Sequence, residues 1–322
     1  MLVSLLLVAG CDEDETGTLY GVASGHDQRD ASAVGVLGAV EARVAFPIGT
    51  PPAEMREVVA AHADRGVRLL LVAEFPEGRL PTAAEARGLA GWAREFGPGG
   101  SFWEGRDGDD LAVRAIEFGN ETSYPRSGVA ERGGEYAERA RDAVRALERA
   151  GTSPAVGLLV QADDAEEGSG WVDSMFTAVP RLGRLAAGWT VHPYGPGYRN
   201  RVKRLVAQTE RAGAPSTVPV FVTEWGVASA GGRCLEPDNY GWDACMDYGE
   251  AAVALQSVAG TLEKDLGARL GGFYVYNARD LARPGGTSFR EHYFGALAFG
   301  NRPKGEYTDE VMRVLGRSGG GG

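Results

Sequence analysis

Histidine and cysteine, the side chains that most often build metal centres, are scarce in this chain. It has four histidines and three cysteines among 322 residues. No other cysteine or histidine lies near enough to Cys234 and Cys245 to complete a four-ligand zinc site. No predicted strand ends in a pair of histidines either. The sequence therefore predicts neither a metal site nor another cofactor.

Clusters of basic residues are also lacking, because the 33 lysines and arginines are spread along the chain. The 44 acidic residues outnumber them and give a formal net charge of −11. A protein that binds the phosphate backbone of a nucleic acid needs a basic stripe on its surface. We therefore expect no nucleic-acid partner.

The N-terminal apolar run, residues 2–9, is too short to cross a bilayer as a mature helix. It lacks the basic residues that usually begin a signal peptide. The run leads into Val8-Ala9-Gly10-Cys11, which resembles the lipobox of bacterial lipoproteins, whose cysteine becomes the lipidated first residue. The resemblance implies a signal segment over residues 1–11, lipidation of Cys11 and an acidic, flexible tether over residues 12–17.

The same resemblance implies an exported protein that is lipid-anchored to the outer face of a bacterial membrane. The lipid anchor would then be its one contact with the membrane. Two alternatives remain open at this point. An ordinary secretory signal with a chance cysteine would give a secreted protein, and the segment could also be a disordered N-terminus.

Short apolar runs alternate with longer amphipathic segments along the chain, which is typical of a parallel sheet with helices between its strands. Eight runs are strand candidates, at residues 19–24, 42–48, 68–75, 112–121, 155–161, 188–194, 218–225 and 271–277. Several are apolar on both faces, as expected for strands between a barrel interior and a helix layer. No GxGxxG follows the first strand, which disfavours a dinucleotide-binding fold.

Eight strands in a chain of this length predict an α/β fold, a (β/α)₈ TIM barrel with a single catalytic domain over residues 18–316. Strand count alone does not exclude an open, doubly wound sheet. A flexible, glycine-rich tail is expected over residues 317–322.

Local signals predict where three of the helices begin or end. Thr50 followed by Pro51 predicts an N-cap and the first helical residue. Thr82 and Glu85 predict a capping box. A further helix is expected over residues 130–150, where apolar residues recur at helical spacing and a glycine follows.

A glutamate closes each of two predicted strands. Glu121 ends the segment AIEFGNE, and Glu224 ends the segment VFVTE. The carboxyl ends of the strands form the catalytic face of a (β/α)₈ barrel, so glutamates on strands four and seven would meet in one cleft. Two carboxyl groups in one cleft can cleave a glycosidic bond. One protonates the leaving oxygen, and the other attacks the anomeric carbon or activates water.

With its neighbours, this pair resembles clan A of the glycoside hydrolases, the 4/7 superfamily, which includes cellulase-like and xylosidase-like enzymes. In that clan an Asn-Glu pair ends strand four, a glutamate ends strand seven, an arginine lies on strand two, and a His-x-Tyr motif lies on strand six. The residues that match are Asn120, Glu121, Glu224, Arg43, His192 and Tyr194.

The resemblance implies an O-glycosyl hydrolase that cleaves β-glycosidic bonds in an oligo- or polysaccharide by a retaining double displacement. Glu121 would be the acid/base and Glu224 the nucleophile. Arg43 would support the nucleophile, Asn120 would contact the sugar 2-hydroxyl, and His192 would lie near Glu121.

The resemblance also implies that Tyr194 contacts the nucleophile, and we expect Trp225 to contact the substrate. Clan members usually carry a tryptophan on strand eight as a platform for the sugar ring. This chain has none there, and Tyr276 is the expected replacement. Gly119 stands where many members have a tryptophan, which restricts the subfamily.

Three further features belong to the predicted catalytic face. Glu117 shares a strand face with Glu121 and is expected to pair with Arg43 or another base. Cys234 and Cys245 predict a disulfide in the loop after strand seven, with two free or buried thiols as the alternative. Aromatic side chains that suit a carbohydrate cleft follow several strands: Trp103, Tyr124, Tyr198, Trp225, Tyr240 and Trp242.

Other functions are compatible with the same barrel. A non-catalytic, carbohydrate-binding surface lipoprotein would keep the cleft without turnover. A transglycosylase would use the same residues, and a metal-assisted hydrolase would need a His/Asp cluster that the sequence does not supply. The partner is expected to be a carbohydrate substrate, and the protein is expected to be a monomer.

Overall fold

The computed structural model describes residues 17–164 and 168–319. Within these residues eight parallel strands close into a barrel in chain order, and the eighth strand pairs with the first. This confirms the predicted (β/α)₈ barrel and excludes the open sheet. The predicted signal segment with Cys11, and residues 12–16 of the predicted tether, lie outside the described residues.

Each of the eight strands overlaps a predicted one. Their bounds are β1 Leu19–Ser24, β2 Glu41–Pro47, β3 Arg68–Glu74, β4 Ala115–Phe118, β5 Gly157–Gln161, β6 Gly188–Val191, β7 Val220–Trp225 and β8 Leu270–Val275. Strand β4 ends three residues before Glu121, and β6 ends before His192, so the predicted ends of these two strands were wrong. Gly119 and Glu121 have positive φ angles of 86° and 48°, which a strand cannot accommodate.

In the described part of the chain, eight α-helices surround the barrel. Their bounds are α1 Gln28–Val36, α2 Pro52–Ala63, α3 Ala83–Phe96, α4 Gly133–Arg149, α5 Trp171–Ala178, α6 Tyr198–Arg211, α7 Tyr248–Leu266 and α8 Glu306–Leu315. A short antiparallel ribbon, β9 (Leu297–Ala298) and β10 (Arg302–Pro303), lies between β8 and α8. None of the described helices is long and apolar enough to span a membrane.

The helix signals in the sequence were mostly correct. Helix α3 begins with the predicted capping box, in which Thr82 and Glu85 satisfy each other's backbone N–H groups. Helix α4 begins three residues later and ends one residue earlier than predicted. For α2 the predicted N-cap was wrong by one residue. The cap is Pro51, because the Thr50 hydroxyl donates back to the carbonyl of Pro47 at 2.6 Å. At the predicted tail, residues 316–319 form a 3₁₀ turn, and residues 320–322 lie outside the described residues.

Lys304 joins the two loops that border the carboxyl end of the barrel. Its ammonium group is fully buried and donates to Asp280 Oδ1 at 2.7 Å. It also donates to the carbonyls of Ser229, in the loop after β7, and Tyr293, in the loop after β8, both at 3.0 Å. Burial raises the pKa of Asp280 to about 6, although Lys304 acts in the opposite direction. Burial likewise lowers the pKa of Lys304.

We expect Lys304→Met to destabilise the protein by about 3–5 kcal/mol at pH 7, because it leaves the Asp280 carboxylate buried without its partner. The free energy of unfolding is measured by urea denaturation. The pKa of Asp280 is already raised, so its protonation at lower pH removes the buried charge. The loss of stability caused by Lys304→Met should therefore be smallest near pH 4.

Lys203→Met is the matched control, because Lys203 is 58% exposed and lies 3.8 Å from Asp265. Its effect should stay within about 0.5 kcal/mol. Equal effects of the two substitutions, or a Lys304→Met effect independent of pH, would contradict the role assigned to Lys304.

Candidate active site

Arg43 on β2 lies at the centre of the predicted site and is buried inside the barrel. Its guanidinium donates from Nε to Glu117 Oε2 at 2.6 Å, from Nη1 to Glu224 Oε1 at 2.5 Å and from Nη2 to Asn120 Oδ1 at 2.8 Å. One planar cation therefore sets the positions of three side chains from two other strands and the loop after β4. The expected pairing of Arg43 with Glu117 is confirmed.

The carboxyl group of Glu224 on β7 is held in place by two donors. Arg43 binds Oε1, and the Tyr194 hydroxyl donates to Oε2 at 3.1 Å. Burial first, and then the charge of Glu224, raises the pKa of Tyr194 well above its ordinary value. Tyr194 therefore stays protonated and remains a donor to Glu224.

Glu121 lies in a different environment, in the loop after β4. Its Oε1 lies 3.3 Å from His192 Nδ1, and its other oxygen contacts the guanidinium of Arg126. Single ligand atoms of Glu121, His192 and Glu224 all lie within 4.8 Å of one another. The structure thus brings the two predicted glutamates into one cleft and gives them different partners.

A hydrogen-bond chain fixes the tautomer of His192. The Thr223 hydroxyl donates to the carboxylate of Glu117 at 2.8 Å, so its oxygen can accept from His192 Nε2, which lies 3.0 Å away. With Nε2 protonated, the neutral ring turns the lone pair of Nδ1 toward Glu121. The contact between Nδ1 and Glu121 then requires one further proton, carried by either partner.

Glu117 is a permanent anion beneath this pair. Burial alone would raise its pKa, but Arg43 and His192 act in the opposite direction and lower it to about 2. Glu117 therefore neutralises Arg43 over the whole physiological range.

Glu121, His192 and Glu224 together could supply three ligands to a metal ion. However, Arg43 is bound to one of these carboxylates and Arg126 to the other. Two guanidinium groups so close to the candidate position disfavour a divalent cation there. The arrangement of these three residues fits two carboxyl groups that react with a substrate better than it fits a metal centre.

The expected aromatic residues are divided between the cleft and the core. Tyr276 is partly buried at the end of β8, with its ring 6.5 Å from that of Tyr194, and a cis peptide bond joins it to Asn277. Trp225 has no exposed surface and packs on Phe273, a placement that does not favour the expected contact with substrate. Trp103 packs on Phe102 in the core, so its assignment to the cleft was wrong.

The disulfide between Cys234 and Cys245 is formed, as predicted, in the loop after β7. In the same loop the buried side chain of Asn239 bonds both the N–H and the carbonyl of Ala228. These links hold Tyr240, whose ring stacks on that of Tyr194 at 5.0 Å. The loop therefore forms one wall of the cleft.

Two cavities flank Glu121. One, of about 350 Å³, extends towards Phe75 and Arg79. The other, of about 460 Å³, is lined by Tyr124, Tyr194, Arg201 and Tyr240. Arg126 lines both cavities. Arg126 and Arg201 were not predicted as residues of the site, because no motif marks them. Only the folding of the loop and the helix that carry them brings them to the cavity.

We expect Glu117→Gln to cost about 3–5 kcal/mol at pH 7, because it leaves Arg43 without one of its buried anions. The pKa of Glu117 is about 2 in the folded protein, against an ordinary value of 4.5. Its contribution is therefore complete above pH 4.5 and is lost as the pH falls towards 2. Urea denaturation from pH 7 to 2 should show the wild type and the variant converging below pH 4.5.

Glu135→Gln on α4 is the control, since Glu135 is 37% exposed and pairs with Arg132. A gap between the wild type and Glu117→Gln that stays constant with pH would argue against this ion pair.

No protein-family model and no curated protein sequence matches the chain. Among solved structures it resembles the GH5_18 enzyme of Bifidobacterium longum subsp. longum in complex with Manβ1-4GlcNAc, with 13% identity and a TM-score of 0.60 over 95% of this chain and 79% of that one. It also resembles a fungal β-1,4-galactanase, at 13% identity and TM-score 0.60 over 91% and 98% of the two chains. An α-L-arabinofuranosidase of Thermotoga maritima has 12% identity and TM-score 0.61 over 94% and 70%. The chain thus has the (β/α)₈ barrel fold of these glycoside hydrolases.

Proposed function

We propose that the protein is a retaining glycoside hydrolase of clan A that cleaves β-glycosidic bonds in an oligo- or polysaccharide. The observation that carries the proposal is the pair of carboxyl groups in one cleft, with an oxygen of Glu121 and one of Glu224 within 4.8 Å. Retaining enzymes hold their two carboxyl groups about 5–5.5 Å apart, whereas inverting enzymes need about 6.5–9.5 Å to admit a water. An oxygen pair this close is compatible with the shorter, retaining separation.

Glu224 is the nucleophile in this proposal. Arg43 and Tyr194 hold its carboxyl group in place. One of its oxygens attacks the anomeric carbon and forms a glycosyl-enzyme as the bond to the leaving oxygen breaks. The loss of its negative charge in this step is tolerated because Glu117 remains as a counterion to Arg43.

Glu121 is the acid/base. It gives its proton to the leaving oxygen in the first step, and the proton that it shares with His192 provides the source. In the second step Glu121 takes a proton from water, the water oxygen attacks the anomeric carbon, and Glu224 is released as a carboxylate. The proton that Glu121 gave up is thereby restored.

Asn120 is oriented to bind the sugar. Its Oδ1 accepts from Arg43 at 2.8 Å, so its amide NH₂ group is the part that can donate to a substrate hydroxyl. This arrangement supports the expected contact with the 2-hydroxyl. Tyr276, beside Tyr194 at the rim, supports a platform for the sugar ring.

We also propose that the protein is exported and anchored by a lipid on Cys11, on the outer face of a bacterial membrane. The lipobox-like segment before Cys11 is the main support. The disulfide between Cys234 and Cys245 is compatible with export, because disulfides persist in oxidising compartments.

We expect Glu224→Gln to lower kcat at least about a thousandfold on every substrate, because it removes the nucleophile. Glu121→Gln should keep much more activity on aryl glycosides with a highly acidic leaving group, since such a group departs without protonation. Turnover on a panel of aryl glycosides separates the two effects. ¹H NMR of the first-formed product should show the anomer of the substrate.

Glu210→Gln is the control variant, because Glu210 is an exposed residue of α6 that pairs with Arg269. An inverted product, or the same loss for Glu121→Gln and Glu224→Gln on activated substrates, would reject the assigned roles. Sugar binding without turnover of any substrate would instead favour the non-catalytic alternative.

A further inference from the structure

Two arginines that the proposed mechanism does not use line the cavity of about 460 Å³ beside Glu121. Arg126 lies in the loop after β4, and Arg201 lies on α6. Their guanidinium carbons lie 5.9 Å and 5.8 Å from the centre of the same ring, that of Tyr124. The cavity therefore contains two cations around one aromatic side chain.

Arg201 is anchored by one nitrogen. Its Nη1 donates to the hydroxyl of Tyr124 at 2.8 Å and to the carbonyl of His192 at 3.0 Å. Within residues 17–164 and 168–319, Nε and Nη2 of Arg201 have no partner. Its side chain is 23% exposed, so this edge of the guanidinium can reach a ligand in the cavity.

The acidic groups that face Arg201 neutralise it incompletely. The nearest, Asp163 Oδ2, lies 4.0 Å from Nη1 and close to the Tyr124 hydroxyl. Burial raises the pKa of Asp163, which opposes its negative charge, although Arg201 and His192 act against this effect. Glu121 is the carboxyl group that lines the cavity, and it is bound to Arg126.

Arg126 lies between the two cavities and binds the proposed acid. Its side chain is 67% exposed, so it can move away from Glu121 without disturbing the core. A carboxyl group that binds a guanidinium is stabilised as carboxylate, whereas an acid catalyst must carry a proton. A ligand anion that takes Arg126 from Glu121 would remove this obstacle.

We propose that this cavity binds an acidic sugar, and that Arg126 and Arg201 bind the carboxylate of a uronic acid residue. The inference rests on the proposed function and names its substrate class. Guanidinium groups match the two oxygens of a carboxylate. The stacked rings of Tyr194 and Tyr240 supply an apolar wall for the sugar ring. Because the whole chain carries a formal charge of −11, local cations are needed to hold an anionic saccharide.

The test uses uronic-acid-containing oligosaccharides and the same oligosaccharides after chemical reduction of their carboxyl groups to primary alcohols. We expect kcat/KM of the wild type to be at least about tenfold higher for an acidic form than for its reduced form. Arg126→Gln and Arg201→Gln should each lose most of this preference. Arg201→Lys, which keeps the charge, should retain part of it.

Arg199→Gln is the matched control on the same helix. Arg199 is 50% exposed and pairs with Asp265, and it does not line the cavity beside Glu121. This variant should keep the wild-type preference. Thermal melting of each variant identifies a substitution that unfolds the protein, and Arg201→Lys then decides the role of that position.

Calorimetric titration of Glu224→Gln with the acidic and the reduced oligosaccharides measures binding in a variant that lacks the proposed nucleophile. It therefore separates this inference from the proposed function. Equal turnover of the acidic and reduced forms, or an equal preference in wild type and arginine variants, would overturn the uronic-acid subsite and leave the glycosidase proposal intact. A preference for sulfated over carboxylated oligosaccharides would overturn the choice of carboxylate. Charge-dependent binding without turnover of any substrate by the wild type would support the subsite and reject the proposed hydrolase.

Discussion

The buried guanidinium of Arg43 is the interaction on which the rest of the site depends. A cation inside a barrel is stable when anions and acceptors surround it, and Arg43 has Glu117, Glu224 and Asn120. Each of these side chains is fixed by the need to neutralise or satisfy Arg43. The geometry around Glu224 follows from a requirement of charge balance in the core.

The two glutamates differ because their neighbours differ. Glu224 is bound by Arg43 and Tyr194, both of which remain protonated donors, so each of its oxygens has a fixed partner. Glu121 instead lies 3.3 Å from His192 Nδ1 and contacts Arg126, which is mostly exposed. In the proposed mechanism, the rigid environment of Glu224 suits attack on the sugar, and the more changeable environment of Glu121 suits the exchange of a proton.

Much of the fold could be predicted, because residues that are buried in the core form recognisable apolar patterns in the sequence. Apolar runs located all eight strands, and Glu117 was expected to pair with Arg43 or another base, as it does with Arg43. The errors occurred where local backbone geometry decides, as at the positive φ angles of Gly119 and Glu121 that end β4 early. The cluster of Arg126 and Arg201 around Tyr124 could not be predicted, because it depends on how the loop after β4 packs beside helix α6. Trp103 was misplaced for a related reason, since it follows α3 and lies in the core.

The hydrogen-bond chain from Glu117 through Thr223 to His192 has a consequence for the proposed reaction cycle. It connects the surroundings of Arg43 to Glu121, while Arg43 also binds Glu224 directly. When Glu224 becomes an ester in the proposed intermediate, the site loses one negative charge, while Arg43 and Glu117 stay charged. The site around Glu121 becomes more positive, which favours its carboxylate form at the stage when a base is required. The hydrogen-bond chain would thus allow Glu121 to act first as an acid and then as a base without any movement of the backbone.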